Sequence, residues 1–182
     1  METLDCNKLR RAMISLSRAN EITPALRFEL SEPFWVEAAF TLLVIYLNDV
    51  LQFLKNAERG IVFRDPTDEM PGSVTNFVNS MRNACCHMGS PERQLLKTPV
   101  VASFGTVYPH ACALFDFPLL EGGKKVIHHN PYANDKLFFH GENRVFLEHH
   151  IWRAINEAKE TLIKLAAENH VPTSGFFYSW VD

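Results

Sequence analysis

The segment from residue 31 to residue 56 is the part of the sequence that most limits the fold. Ser31 is a predicted helix N-cap, and Glu32 and Pro33 suit the first turn of a helix. No helix-breaking residue follows before the end of the segment. The predicted helix is apolar around most of its circumference, so other helices or a second chain must cover it. The sequence therefore predicts that this helix is central to a bundle or shared with a partner chain.

The same segment argues against a membrane protein. Its continuous apolar run, 34–47, is too short to span a bilayer and contains Glu37. Residues 1–18 alternate charged and apolar side chains and lack the apolar core of a signal peptide. The sequence therefore predicts a buried helix in a cytoplasmic protein.

Apolar residues at helical spacing predict three more helices. These helices cover 4–20, 73–88 and 143–169. Residues 95–141 instead hold short apolar or alternating runs separated by Gly, Pro and Asn, which is typical of strands. The predicted fold class is therefore all-α, an antiparallel helical bundle with a small β-rich insertion between the third helix and the last.

Size and charge fit one globular domain. The chain has 182 residues, of which 47% are hydrophobic and 21% are charged, and this is enough for a substantial core. We expect a single domain over 1–182, with 95–141 as its insertion. The formal net charge of −3 gives no general attraction to nucleic acid. A phosphate-bearing partner would have to meet a local cluster of basic side chains.

Four cysteines raise the question of a disulfide or a metal site. They are Cys6, Cys85, Cys86 and Cys112. Without a secretory signal, we expect reduced thiols. A zinc site would combine the adjacent Cys85 and Cys86 with His87, His110 and Cys112, but adjacent side chains on a helix point about 100° apart and do not converge on one ion. We therefore expect no metal or other cofactor, and free cysteines that fill the inner face of the helix.

The third predicted helix ends in the stretch MRNACCHMGSPER, residues 81–93, where Gly, Ser and Pro stop it. Asn83 and His87 are four residues apart and share a helix face, so the amide can orient the imidazole. Arg82 lies off that line and would join them where the helix frays or from a second copy of the protein. A positioned His moves protons near neutral pH, and an Arg holds phosphate through its planar fork of donors. The trio is a candidate phosphate-handling site.

The same spacing of Arg and His occurs a second time, at Arg144 and His149. The residue after the arginine separates the two matches, since it is the polar Asn83 in the first and the apolar Val145 in the second. A polar residue there can orient the site, whereas a valine cannot. The sequence therefore favours the first match.

The pattern of Arg, a polar residue and then His near a helix end resembles the motif of the HEPN family (higher eukaryotes and prokaryotes nucleotide-binding domains). Many HEPN proteins are metal-independent ribonucleases that act as dimers, with motif residues of both chains in one cleft. The resemblance implies that His87 transfers protons, that Arg82 stabilises charge on the phosphate and that Asn83 orients the site. Arg93, just past the helix, is a candidate phosphate contact or a solvated loop residue.

The resemblance leaves two functional readings open. In the first, the chain is a homodimeric endoribonuclease acting on RNA or a nucleotide, with a toxin or defence role and an antitoxin as candidate partner. In the second, it is a catalytically inactive HEPN-like binding or dimerisation module, because some members of the family have lost activity. The insertion at 95–141 departs from a minimal bundle, so the approach of the substrate is not defined by the resemblance.

Two adjacent histidine pairs lie outside the motif. They are His128 with His129 and His149 with His150. Such a pair more often has one packed and one exposed member than two metal ligands. Because His149 falls on the apolar stripe of the last predicted helix, we expect it to be the core or interface member of its pair.

Overall fold

The protein is mostly helical, as the sequence predicts, and its strands are few and short. The computed structural model describes residues 5–29, 33–63, 73–87, 104–108, 111–117, 124–140 and 143–177. The chain divides into two compact units, one formed by Met1–Arg82 with Trp152–Asp182 and the other by Asn83–Ile151. The second unit extends beyond the predicted insertion at both ends.

Three helices, together with the part of a fourth up to Arg82, account for most of the first unit among the described residues. They are α1 (Cys6–Pro24), α2 (Pro33–Asn56), α3 (Val74–Cys86) and α4 (Arg153–Glu168). The chain continues from α1 into a π-helical turn, Ala25–Glu29. Helix α1 packs against both α2 and α4, and α2 also packs against α4. The predicted long helix is confirmed as α2, although its predicted cap, Ser31, lies outside the described residues.

Buried side chains recur at helical spacing on α2 and α4. On α2 the fully buried residues are Phe40, Leu43, Val44, Leu47, Val50, Leu51 and Leu54. On α4 the buried residues are Ala154, Ile155, Ala158, Leu162, Leu165 and Ala166. The amphipathic pattern predicted for the last helix is therefore confirmed within these bounds, and burial of such apolar faces is the main stabilising term of the unit.

Helix α3 begins where the sequence predicts. The Ser73 hydroxyl accepts a hydrogen bond from the backbone N–H of Asn76 at 3.4 Å, and the Ser73 carbonyl accepts one from Phe77 at 3.0 Å. Ser73 is thus the N-cap of α3. The inner face of the helix is formed by Val74, Phe77, Val78, Met81 and Ala84. The regular helix ends at Cys86, two residues before its predicted end.

The described residues of the second unit form two antiparallel sheets. Strands β1 (Phe104–Val107), β4 (Leu137–His140) and β5 (Asn143–Phe146) form one sheet in the order β1-β4-β5. Strands β2 (Cys112–Phe117) and β3 (Lys124–His129) form a separate two-stranded sheet. A small apolar core of Val107, Leu137, Phe139 and Phe146 lies on the larger sheet. The prediction of β structure in this part of the chain is confirmed.

The predicted start of the last helix at residue 143 is wrong, because Asn143–Phe146 is strand β5. Its pairing with β4 places Phe146 opposite Leu137, and both side chains are buried in the core of the sheet. A π-helical turn, Leu147–Trp152, follows the strand, and regular α-helix begins only at Arg153. Neighbouring apolar residues fit a short strand as well as a helix, and the pairing with β4 decides between them.

Helix α2 is longer than its most apolar run. Within it, Phe34–Asn56 is long and apolar enough to cross a membrane by length and composition alone. Less than half of the most apolar part of that stretch is buried inside the protein. The core helix of a soluble protein passes the same test, so length and composition do not distinguish the two environments.

Candidate functional site

The predicted trio lies at the C-terminal end of α3. Arg82 and Asn83 are half-buried in its last turns, and His87 is exposed immediately after the helix. The backbone N–H of His87 donates to the carbonyl of Asn83 at 3.0 Å, which extends the helical hydrogen-bonding pattern by one residue. Asn83 and His87 are therefore one helical turn apart, and the imidazole is presented to solvent at the helix end.

Arg82 faces an acidic residue of α2. Burial raises the pKa of the Asp49 carboxyl above its ordinary value, and the positive charge of Arg82 lowers it in part. The guanidinium thus lies within electrostatic reach of this carboxylate. A phosphate bound at Arg82 would have to compete with Asp49 for the same positive charge.

The cysteines beside the motif do not fill the inner face of α3 as expected. Cys85 is half-buried and Cys86 is exposed, because the apolar residues of α3 already occupy that face. The expectation of buried cysteines is wrong for Cys86. Within the described residues, no group of three or more His, Cys, Asp or Glu side chains is placed to hold a metal ion. His110 and Arg93, predicted candidates for metal and phosphate, lie outside the described residues.

The second match to the motif spacing has a different geometry. Arg144 lies on strand β5, whereas His149 lies in the π-helical turn that follows. The two residues therefore do not share a helix face, although their separation in sequence is allowed. In the first match, Arg82 lies in α3, and the hydrogen bond from His87 to Asn83 extends the helical pattern to His87.

A site that the sequence did not predict lies around Asp135 and His149. The Nδ1 atom of His149 is 2.6 Å from Oδ2 of Asp135, whose side chain is only 1% exposed. The His149 side chain is 43% exposed, so the expectation that it lies in the core is wrong, and the alternative of an interface position stays a prediction. Its neighbour His150 is the buried member of the pair, at 1% exposure. In the other pair, His128 is buried and His129 is exposed, as the general expectation for such pairs states.

The Asp135 carboxylate also holds the start of the helical segment. Its Oδ1 atom accepts hydrogen bonds from the backbone N–H groups of Lys136 at 2.7 Å and Glu148 at 2.8 Å. Its Oδ2 atom accepts one from the backbone N–H of His149 at 3.0 Å. Asp135 therefore acts as a helix cap supplied by a distant part of the chain.

Aromatic residues fix the plane of the His149 ring. The ring stacks on Tyr132 with centroids 3.8 Å apart and an interplanar angle of 24°. Phe146 meets it edge-on, at 6.3 Å and 72°. The loop that carries Tyr132 is held by Asn130, whose amide group donates to the carbonyl of Asp135 at 2.8 Å and whose side-chain oxygen accepts from the Tyr132 N–H at 3.1 Å.

The pairing of β4 with β5 brings Asp135 and His149 together. In the observed register Leu137 lies opposite Phe146, so residues just before β4 face residues just after β5. The sequence interpretation assigned residue 143 onward to a helix and thereby removed this hairpin. With β5 assigned as a strand, the same register could have been inferred from the stretch LFFHGENRVF.

Comparisons of the chain with protein-family models, with curated proteins and with solved structures found no match.

Proposed function

We propose that this chain is a HEPN-type endoribonuclease that cleaves RNA without a metal ion and acts as a homodimer. The observation that carries the proposal is the exposed His87 at the end of α3, one helical turn beyond Asn83, with Arg82 immediately before Asn83. An exposed imidazole at a helix end can reach a phosphodiester, whereas a buried one cannot. The resemblance of this trio to the HEPN motif supplies the reaction class.

In the proposed reaction the 2′-hydroxyl of the RNA attacks the adjacent phosphorus. His87 transfers a proton in this step, and Arg82 stabilises the charge that builds on the non-bridging phosphoryl oxygens. The bond from phosphorus to the 5′-oxygen breaks, and that oxygen leaves with a proton. The products are one fragment with a cyclic 2′,3′-phosphate and one with a free 5′-hydroxyl. Asn83 orients the site through its position one turn before His87.

The outer face of α2 supports the homodimer. At about 100° per residue, Phe34, Trp35, Ala38, Leu42 and Ile45 fall on the face opposite the buried stripe. The exposed fractions of Phe34, Trp35 and Leu42 are 69%, 59% and 47%. We assign this face, named here the outer face of α2, to contact with a second copy of the chain. Such large apolar side chains gain free energy when a partner covers them.

The outer face of α2 also extends toward Arg82 of the motif. Asp49 follows Ile45 by four residues on the same face, and Arg82 lies within reach of its charge. A second copy docked on this face would therefore lie beside Arg82. This continuity supports a site that residues of both copies complete, as in dimeric HEPN proteins.

The alternative, a catalytically inactive HEPN-like module, is favoured by one observation. Asp49 offsets the charge of Arg82, the group that would bind phosphate. In an inactive module this pair would serve only to join α2 and α3. The two candidates differ in whether His87 is needed for any reaction on RNA.

The test is cleavage of a mixed RNA pool by the wild-type protein and by His87→Ala and His129→Ala, with a metal chelator present throughout. His129 is a matched control, since it is also an exposed histidine but lies on β3. We expect His87→Ala to lose roughly 10²-fold or more of the rate, as for loss of general acid–base catalysis, and His129→Ala to retain it. Equal rates for all three proteins would remove His87 from the mechanism, and no cleavage by any of them would favour the inactive module.

A further inference from the structure

His149 has the surroundings of an oriented nucleophile at the protein surface. Its Nδ1 atom is held by the buried Asp135, while nearly half of its side chain is exposed. The ring lies on Tyr132 and against the edge of Phe146, so its plane cannot turn freely. These contacts leave the opposite ring nitrogen, Nε2, as the reactive atom.

The hydrogen bonds of Asp135 determine which ring nitrogen carries the proton. Both carboxylate oxygens already accept backbone N–H groups, two at Oδ1 and one at Oδ2. The carboxylate is therefore the acceptor toward the ring as well, and Nδ1 of His149 is the donor. Nε2 then carries the lone pair. Among the described residues, none donates a hydrogen bond to it.

We propose that His149 is a phosphoryl-accepting histidine, modified on Nε2 by an N-phosphoryl donor and oriented by Asp135. This inference goes beyond the proposed cleavage of RNA and does not depend on it. The Nε2 lone pair forms a bond to phosphorus while the phosphorus–nitrogen bond of the donor breaks, and the donor nitrogen leaves with the electron pair of that bond. The bond formed resembles the bond broken, so no oxidant, reductant or metal is needed.

The pairing with Asp135 favours transfer of a phosphoryl group to Nε2. The proton on Nδ1 stays shared with the Asp135 carboxylate, which stabilises the positive charge that develops on the ring as Nε2 reacts.

The test uses the full chain and phosphoramidate as the donor. Sites are mapped by mass spectrometry under neutral conditions, which preserve phosphorus–nitrogen bonds. His129 and His170 are exposed histidines of the same molecule, and neither has a carboxylate partner among the residues that the structure describes. We expect His149 to be phosphorylated about tenfold faster than either of them, since its nucleophile is oriented and its developing charge is paired. Equal rates at the three residues would overturn the proposal.

Two further measurements separate orientation by Asp135 from mere exposure. In Asp135→Asn the rate at His149 should fall about tenfold while the rates at His129 and His170 stay unchanged. If this variant does not fold, the comparison among histidines of the wild-type protein still decides. Long-range proton–nitrogen NMR should find the His149 proton on Nδ1, and a proton on Nε2 would contradict the proposal. His87→Ala should be phosphorylated at His149 like the wild type, so failure of the ribonuclease proposal would not be mistaken for failure of this one.

Discussion

Arg82 of α3 lies within electrostatic reach of Asp49 on α2, yet burial still holds the pKa of the Asp49 carboxyl above its ordinary value. The cost of removing the carboxylate from water thus exceeds the attraction that Arg82 provides. This balance sets both the pH dependence of stability at this pair and the availability of Arg82 for phosphate.

Asp49→Asn tests that balance through pH. Because the folded pKa is above that of the unfolded chain, the folded protein binds more protons between the two values, and the contribution of Asp49 to stability falls as pH rises through that window. We expect the unfolding temperature of Asp49→Asn near neutral pH to be at least as high as that of the wild type. The variant should also lack the fall in stability with rising pH. Unfolding temperatures from about pH 3 to about pH 7 measure it. A clear loss of stability in the variant at neutral pH would mean that the attraction to Arg82 outweighs burial.

Asp135→Ala should be among the more destabilising single changes in the second unit. It removes the acceptor of three backbone N–H groups and the partner of His149, from a carboxylate that is almost entirely buried. We expect a loss of roughly 3 kcal/mol in the free energy of unfolding. Glu157→Ala is the control, since its pair with Arg153 at 2.8 Å is half-exposed and contributes about 0.5 kcal/mol. Denaturant unfolding of the three proteins measures both values, and equal losses would remove the structural role of Asp135.

Gly105→Ala should also destabilise the second unit. Gly105 lies opposite Phe139 in the pairing of β1 with β4, and an added methyl group would overlap the Phe139 ring. That ring cannot move away easily, because it is 3% exposed and stacks on His128 at 4.3 Å. We expect a loss of about 1–3 kcal/mol, as for other overpacked sites.

Gly60→Ala provides the matched comparison for Gly105→Ala. Gly60 is exposed, and an added methyl group would meet only Lys55, at an ordinary contact distance of 3.5 Å. The unfolding free energy of the Gly60→Ala protein should stay within roughly 0.5 kcal/mol of the wild-type value. Similar losses for the two glycine variants would argue against the packing of Phe139 over Gly105.

The outer face of α2 should determine the oligomeric state. We expect the wild type to be a dimer by light scattering at micromolar concentration, and Leu42→Asp to shift it toward monomer because a buried charge disfavours the contact. Ile163→Asp changes an apolar residue of α4 that is 39% exposed and should leave the dimer intact. A strictly monomeric wild type would contradict the assignment of this face.

Local signals in the sequence were enough to predict that the helices exist, but not where the last helix begins. The apolar segment of α2 and the start of the third helix at residue 73 depend on neighbouring residues, and both predictions were confirmed. The site around Asp135 depends instead on the pairing of β4 with β5, which joins residues far apart in sequence. Once residues 143–146 were assigned to a helix, His149 fell on an apolar stripe and was placed in the core. The structure instead exposes it and buries His150.

The predicted trio is a local feature of one helix, and the structure adds the environment of Arg82 to it. Spacing alone could not have indicated Asp49, because the two residues are on different helices and meet only through tertiary packing. Arg93 and the rest of the stretch after His87 lie outside the described residues, so its predicted phosphate contact stays a prediction.

The chemical nature of the cleaved ends tests the central proposal most directly. A trio of Arg82, Asn83 and His87 that uses the RNA's own 2′-hydroxyl should leave cyclic 2′,3′-phosphate and 5′-hydroxyl ends in the presence of a chelator, and it should spare DNA of the same sequence. Mass spectrometry of oligonucleotide products identifies these ends. Products with 3′-hydroxyl and 5′-phosphate ends, or equal cleavage of DNA, would mean that water attacks the phosphorus and would contradict the proposed role of the trio.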